Sequence, residues 1–370
     1  MLSVLALSLS LAAAPPTKSH ATEALRTQCL LYAADPSNPW ALAHGIKTFG
    51  ASFLASDGRK ASEVIIHDYL LRNRLPDGGV GPGAPYGFLR YASDQTPIEP
   101  HTNLNTKAMV ADAKIPLTTR FKTSWGEITL KELVEAVKLG FRHSPGSKEY
   151  WQDVGWTLSI FAATQKPGTT WKTSDGTTVS LDAVFDDALK ELESETADLK
   201  TGLETHQPKV DKRKQGVYAH SCGGLHFVQG VLAWARYPEV RKKWGARVDA
   251  QIAIHFYRLE SERVQYEAAW QQVLSGMPQF KLPLLVQMVK FYGHWLETVA
   301  HFRDDLGWKP NEQQKIDLNR AKAFLDIAVR TLEEEKAFER MDELKKNQKQ
   351  VYLDLIGDSC HAAHGLEAFP

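Results

Sequence analysis

Apolar residues recur at three- and four-residue spacing along most of the chain, and Pro, Gly and Asn interrupt them. This period is typical of amphipathic α-helices. Asn38-Pro39 and Lys309-Pro310 mark two helix starts, because proline suits the first turn of a helix. The pattern predicts about a dozen helices, at roughly 22–34, 39–49, 62–73, 103–113, 129–142, 148–164, 182–199, 220–236, 239–273, 281–306, 311–346 and 350–366.

Three segments in the first half share the form aromatic-x-(Ala/Thr)-Ser-x-Gly, at 53–58, 121–126 and 171–176. Each follows a predicted helix, its glycine marks a turn, and Ser62, Thr129 or Ser180 then offers a cap to the next helix. Thr129 with Glu132 makes a capping box. The segments predict short β-hairpins, which arise either from a repeated unit or from the chance recurrence of a common turn.

Twelve helices in six pairs fit an (α/α) toroid, a closed ring with one helix of each pair inside; an open superhelix of pairs is the alternative. Closure is favoured because polar residues recur on every second helix, mostly near its start, where a ring would bring them together. These residues are His44, His101, Asp153, His220 with Cys222, His294 with Glu297, and Cys360 with His361 and His364. We therefore predict an all-α toroid of about six pairs, with short hairpins in its first half, as a single domain over residues 22–370.

Composition narrows the function without naming it. Of the 370 residues, 43% are apolar and 24% charged, enough for a sizeable core. Lys and Arg number 44, as do Asp and Glu, so no net field attracts nucleic acid or an anionic membrane. We expect a small molecule, glycan or peptide as partner, and neither nucleic acid nor a membrane span.

The first residues indicate export. Leu2 to Ala14 is almost continuously apolar, Pro15-Pro16 ends the stretch, and Ser19-His20-Ala21 resembles a cleavage site. No Lys or Arg precedes the stretch, which is too short to anchor the chain in a bilayer. We predict a signal peptide over residues 1–21, cut after Ala14 or Ala21, and a soluble periplasmic or secreted protein.

Two segments read Ser-Cys-x-x-x-His, at 221–226 and 359–364. A cysteine and a histidine four residues apart share one helical face. Oxidising compartments favour pairing, which predicts a Cys222–Cys360 disulfide and leaves Cys29 as a buried apolar residue. A zinc site is the second reading, held by Cys222, His226, Cys360 and His364 with His361 as a substitute ligand; buried free thiols are the third.

Other polar residues suggest acid–base chemistry. His220, His294 and Glu297 are candidates for proton transfer. Asp153 lies close in sequence to Trp151 and Trp156, and burial beside an indole would raise its pKa, as a general acid requires. Hydrogen-bonded core histidines and helix caps are the commoner roles of such residues.

Aromatic and histidine side chains near these positions are candidates for substrate binding. They are His44, His101, Trp151, Tyr218 and Tyr292. Aromatic rings also fill helical cores, which is their commoner role. The Gly- and Pro-rich segment 76–100 predicts a loop that covers or binds the substrate.

The two cysteine segments resemble the zinc-binding segments of lanthionine-cyclase-type toroids, in which two cysteines and an adjacent histidine hold zinc inside the ring. Cys222, Cys360 and His361 would correspond. The resemblance covers these segments alone, and Ala362 stands where those proteins have glycine, so it assigns no family.

These features predict an exported enzyme, a metal-assisted hydrolase or lyase with its site in the cavity of the toroid. Two alternatives stay open: a metal-independent glycan hydrolase or lyase with a structural disulfide, and a non-catalytic binding or scaffold protein. Nucleotide-binding glycine loops, H-E-x-x-H and Gly-x-Ser-x-Gly are absent from the sequence.

Overall fold

The computed structural model describes residues 19–72 and 85–369. It is mostly helical, at 67%, and the described residues form 15 α-helices and three two-stranded antiparallel sheets. This confirms the predicted all-α class with small hairpins. The predicted signal segment lies outside the described residues except for its last three positions, and so does most of the glycine-rich part of the loop at 76–100.

The helices are α1 (His20–Tyr32), α2 (Pro39–Phe49), α3 (Ala61–Val64), α4 (Leu104–Lys107), α5 (Leu130–Gly140), α6 (Lys148–Asp153), α7 (Gly155–Thr164), α8 (Leu181–Glu195), α9 (Ala197–Glu204), α10 (Leu225–Leu232), α11 (Pro238–Leu274), α12 (Lys281–Leu306), α13 (Glu312–Glu334), α14 (Met341–Asn347) and α15 (Lys349–Ala368). A π-helical turn continues α3 over Ile65–Tyr69, and another continues α4 over Ala108–Asp112.

The strands pair as β1 (Leu71–Arg72) with β2 (Tyr86–Gly87), β3 (Arg120–Thr123) with β4 (Gly126–Thr129), and β5 (Thr170–Lys172) with β6 (Thr178–Ser180). Two of the three aromatic-Ser-Gly segments are therefore hairpins, and the first closes with an isolated bridge between Leu54 and Lys60. Thr129 forms the predicted capping box with Glu132. Ser62 differs, because α3 already begins at Ala61 and Ser62 lies inside it.

Six helical segments contact one another in the order in which they occur along the chain. α2 contacts the α4 segment, which contacts α7; α7 contacts α10, α10 contacts α12, and α12 contacts α15. α15 in turn contacts α2. Apolar side chains form the core between the helices, with Trp234, Trp244 and Trp295 among the fully buried residues.

No described helix combines the length and the apolar character needed to cross a bilayer. The longest, α11, begins with proline at its first turn and carries charged residues along its length.

Candidate metal centre

A cavity of about 390 Å³ lies between α2, the α4 segment, α7, α10, α12 and α15. Histidines from five places along the chain line it: His44, His101, His226, His294 and His361. Of the polar residues predicted to converge, His44, His101, Cys222, His294 and His361 line this cavity. His226 lines it as well, whereas the other residues predicted to converge do not: Asp153, His220, Glu297, Cys360 and His364.

Cys222, His226 and His294 form a cluster of potential metal ligands in this cavity. One ligand atom from each, the thiol sulfur or a ring nitrogen, lies within 4.8 Å of the others. Both histidines are buried and Cys222 is partly buried. Thiolate and imidazole are the ligands that zinc prefers, and three protein ligands with an open fourth position are typical of catalytic zinc. The cluster could therefore hold a metal ion.

Hydrogen bonds fix the two imidazoles in the form that a metal needs. His294 Nδ1 donates to the carbonyl oxygen of Lys290, 2.8 Å away, and a carbonyl can only accept. Its Nε2 is buried without a hydrogen-bond partner among the described residues. His226 Nδ1 lies 3.3 Å from Gln229 Oε1. Both rings thus keep a lone pair on Nε2, as ligating histidines do.

Glu297 orients two of these histidines, His361 and His226, through hydrogen bonds. Its Oε2 accepts from His361 Nδ1 at 2.8 Å and from the Gln229 amide at 3.3 Å. Because the Gln229 amide nitrogen faces Glu297, its oxygen faces His226. Lys47 Nζ lies 2.9 Å from the same carboxylate oxygen and balances its charge. One buried carboxylate therefore orients His361 directly and His226 through Gln229.

Burial sets the protonation states in the cavity. It lowers the pKa of His294 to about 3, and it moves the pKa values of His226 and His361 well below the ordinary value. These imidazoles are neutral at pH 7, the form that binds metals. Burial raises the pKa of the Cys222 thiol to about 12. Burial alone would raise the pKa of Glu297, but His361 and Lys47 outweigh it and hold that pKa well below its usual range.

The backbone that carries Cys222 is not the predicted helix. Residues 221–224 form a 3₁₀ turn, and α10 begins at Leu225. Cys222 has φ +50°, and Gly223 and Gly224 follow at +60° and +75°. The two glycines are explained by this left-handed turn, which a side chain disfavours.

The predicted Cys222–Cys360 disulfide is wrong. Cys360 bonds to Cys29 instead, with an S–S distance of 2.05 Å across 331 residues. Cys222 is the free cysteine among the three, all of which are described. Cys360 therefore cannot supply the thiolate proposed from the sequence, and Cys29 is not an isolated apolar residue.

His364 does not join the cluster either. Its side chain is 36% exposed, and its Nδ1 lies 3.1 Å from Glu297 Oε1, the oxygen that His361 does not use. It does not line the cavity. His301, on the same helix as His294, pairs with Asp305 at 3.2 Å and lies outside the cavity as well.

Three of the four predicted catalytic residues, His220, Asp153 and Glu297, do not line the cavity. His220 stacks on Phe227, and its Nε2 is 3.6 Å from Glu195. Asp153 accepts from the backbone of Thr102 at 3.2 Å. Burial favours a raised pKa for Asp153, but hydrogen bonds from His101 and Thr102 lower it. The predicted shift thus has the wrong sign.

The predicted binding residues divide in the same way. His44 and His101 line the cavity. Trp151 donates its indole N–H to the Pro145 carbonyl, Tyr218 lies under the Arg258 guanidinium, and Tyr292 stacks on Phe324. None of these last three rings lines the cavity.

Sequence reasoning missed several polar residues of the cavity, which are Lys47, Lys107, Asp112, Lys290 and Asp354. Lys47 follows His44 by three residues and Lys290 precedes His294 by four, so helical spacing could have placed both beside histidines that had been identified. Lys107 and Asp112 pair at 2.8 Å.

Compared with protein-family models, curated proteins and solved structures, the chain matches none of them. The function of the site therefore has to be argued from its own residues.

Proposed function

We propose that the protein is a metal-assisted hydrolase or lyase whose ion is bound by Cys222, His226 and His294. The observation that carries the proposal is the buried Nε2 of His294, which has no hydrogen-bond partner among the described residues and belongs to a thiol–imidazole cluster. An unpaired buried polar atom costs free energy unless something binds it. A metal ion at this position would satisfy it.

Zinc bound by three protein ligands acts as a Lewis acid and lowers the pKa of bound water. We propose that His361 transfers a proton next to the metal site. Its ring centre lies 3.9 Å from that of His294, and Glu297 holds its Nδ1, which leaves Nε2 to accept. Glu297 would then stabilise the imidazolium that forms.

We also propose that the six inner helices close into the predicted toroid. The support is the cycle of contacts from α2 through the α4 segment, α7, α10, α12 and α15 back to α2. The cavity lies between these helices, and its lining comes from all six segments. Such a ring accounts for a site assembled from residues 44 to 361.

Export is proposed on two grounds. The apolar first residues resemble a signal peptide, and Cys29 and Cys360 form a disulfide. Disulfides persist in oxidising compartments. A periplasmic or secreted location agrees with both.

Metal analysis of histidine variants tests the proposal. Protein purified without chelators and reconstituted with Zn²⁺ is expected to hold the ion, and His294→Gln is expected to lose it. His301→Gln is the matched control, because His301 lies on the same helix outside the cavity. Wild-type protein that shows no Zn²⁺ binding in titration calorimetry would refute the proposal.

One observation favours the metal-independent glycan hydrolase or lyase. Burial raises the pKa of Asp358 well above its ordinary value, and Asp358 lines the cavity with Asp354. Glycoside cleavage uses two carboxyl groups, one of which supplies a proton as the general acid. Turnover of a glycan by chelator-treated, metal-free protein would favour this alternative, whereas ligand-induced stabilisation without turnover would favour a binding protein.

A further inference from the structure

The turn that carries Cys222 needs an external support. Cys222, Gly223 and Gly224 have successive left-handed backbone angles. A left-handed conformation is disfavoured for a residue with a Cβ, and it persists only where the surroundings impose it. Such residues concentrate at functional sites.

Arg258 of α11 lies against this turn. Its Nη1 donates to the Gly223 carbonyl oxygen at 2.7 Å. A Cβ placed on Gly223 would come within 2.5 Å of Arg258 Nη2. Glycine at this position therefore permits both the backbone angle and the close approach of the guanidinium.

Glu262 fixes Arg258 in turn. Arg258 is 3% exposed, and its Nε donates to Glu262 Oε1 at 2.7 Å. Glu262 is fully buried and also pairs with Lys212 Nζ at 2.8 Å. The planar guanidinium can meet a carboxylate and a carbonyl at fixed angles, which the single ammonium of lysine cannot do.

The same face of α11 holds the segment that leads to the turn. Ser261 Oγ accepts from the Val210 backbone N–H at 2.8 Å. Gln265 Oε1 accepts from the Lys212 backbone N–H at 2.7 Å, and its amide donates to the Val210 carbonyl. Side chains of one helix thus bind the polypeptide ahead of Cys222 at several points.

We infer that Arg258, fixed by Glu262, is a positioning residue that holds the Cys222 thiol in the metal cluster by tethering the Gly223 carbonyl. The inference rests on the proposed function for its purpose. The tether itself can be tested without any metal, through the reactivity of the thiol.

The test variant is R258M/E262M, because replacing both partners leaves no unpaired charge in the core. R247M/E193M is the matched control. Arg247 also lies on α11 and pairs with Glu193 at 2.6 Å, and this pair makes no hydrogen bond to the turn. Circular dichroism first establishes that each variant is folded.

Three measurements test the inference. Iodoacetamide labelling of Cys222, measured by mass spectrometry on metal-free protein, is expected to be at least ~10-fold faster in R258M/E262M and unchanged in the control. Zn²⁺ affinity, measured by chelator competition, is expected to fall about 10- to 100-fold, as for other residues that orient metal ligands. The thiolate absorption of the Co²⁺ form should weaken in parallel.

Wild-type labelling rates in folded R258M/E262M would overturn the inference, and so would equal acceleration in the control. If R258M/E262M does not fold, Arg258→Lys takes its place. Lysine keeps a positive charge for Glu262 but loses the hydrogen bond to the Gly223 carbonyl. A wild-type labelling rate in Arg258→Lys would therefore also overturn the inference. If wild-type protein binds no metal but the labelling difference holds, the tether stands and the proposed function fails.

Discussion

The two Ser-Cys-x-x-x-His segments share their residue pattern and differ in backbone. Residues 221–226 begin with a left-handed turn that leaves the Cys222 thiol free beside the cavity. Residues 359–364 lie within the continuous helix α15, where Cys360 bonds to Cys29 of α1. His361, one residue further on, lines the cavity in place of the cysteine.

The difference shows that the backbone decides which atom of such a motif reaches a site. Consecutive residues of an α-helix point about 100° apart, so Cys360 and His361 face different neighbours. The turn at Cys222 breaks that rule and delivers the thiol without the helical spacing. The cavity therefore receives one thiol and several imidazoles, rather than the two thiols of the zinc site considered from the sequence.

Among the variants that test this comparison, removal of the Cys29–Cys360 disulfide is expected to change protein stability the most. The double variant Cys29→Ser/Cys360→Ser should lose about 5 kcal/mol of unfolding free energy, because the bond closes a loop of over 300 residues. Urea unfolding measures it, with Cys222→Ser as the control. A loss as large in Cys222→Ser would erase the distinction between the two cysteines.

Removing the Cys222 thiol should abolish metal binding and leave stability unchanged. Cys222→Ser is expected to reduce bound Zn²⁺ to background, since serine is a poor ligand for zinc, while the metal-free protein stays as stable as wild type. Elemental analysis and thermal unfolding check the two halves. Full Zn²⁺ content in this variant would assign the ion to other residues.

The third prediction concerns His361 and His364, the two histidines of the second segment, whose substitution should affect activity differently. His361→Gln is expected to slow hydrolysis of an active ester or amide substrate about 100-fold, the usual contribution of a general base, with Zn²⁺ retained. His364→Gln should change the rate little, because His364 does not line the cavity. Equal rate losses in the two variants would contradict a proton-transfer role for His361 and would indicate that each histidine affects the rate only through its hydrogen bond to Glu297.

A smaller effect concerns His44, whose ring packs against His361. Burial lowers the pKa of His44 to about 4 from the ordinary 6.5. The unfolded chain therefore takes up a proton that the folded protein does not, so this contribution to stability is present above pH 6.5 and is lost as the pH falls towards 4. His44→Gln should reduce the acid slope by up to ~1.4 kcal/mol per pH unit, in urea unfolding of metal-free protein. An unchanged slope would contradict the shift.

Two of the three longest predicted helices agree with the structure, and the third, 311–346, is instead two helices, Glu312–Glu334 and Met341–Asn347. The predicted 239–273 and 281–306 match Pro238–Leu274 and Lys281–Leu306 closely, because sustained periodicity outweighs local exceptions. The predicted 220–236 failed at its start, where two glycines permit angles that periodicity does not register. The closed ring stays a prediction, since spacing along a chain carries no distance between helices.

The sequence allowed us to predict which residue types form the site, but not which residues contact one another there. His226 and His294 were recognised as chemically able residues, and both belong to the cluster. Matched sequence context suggested that Cys222 pairs with Cys360, yet context says nothing about proximity. Glu297 was identified as an acid or base, but the structure places it behind the histidines, where it orients them.

The bond between Cys29 and Cys360 also has a consequence for biosynthesis. A ribosome makes Cys29 of α1 331 residues before it makes Cys360, to which Cys29 bonds, and α15, the helix that carries Cys360, also contributes His361. Both the covalent closure and this wall of the cavity must therefore wait until α15 has been synthesised. A nascent chain released before α15 would carry most of the described helices but would lack both the disulfide and His361.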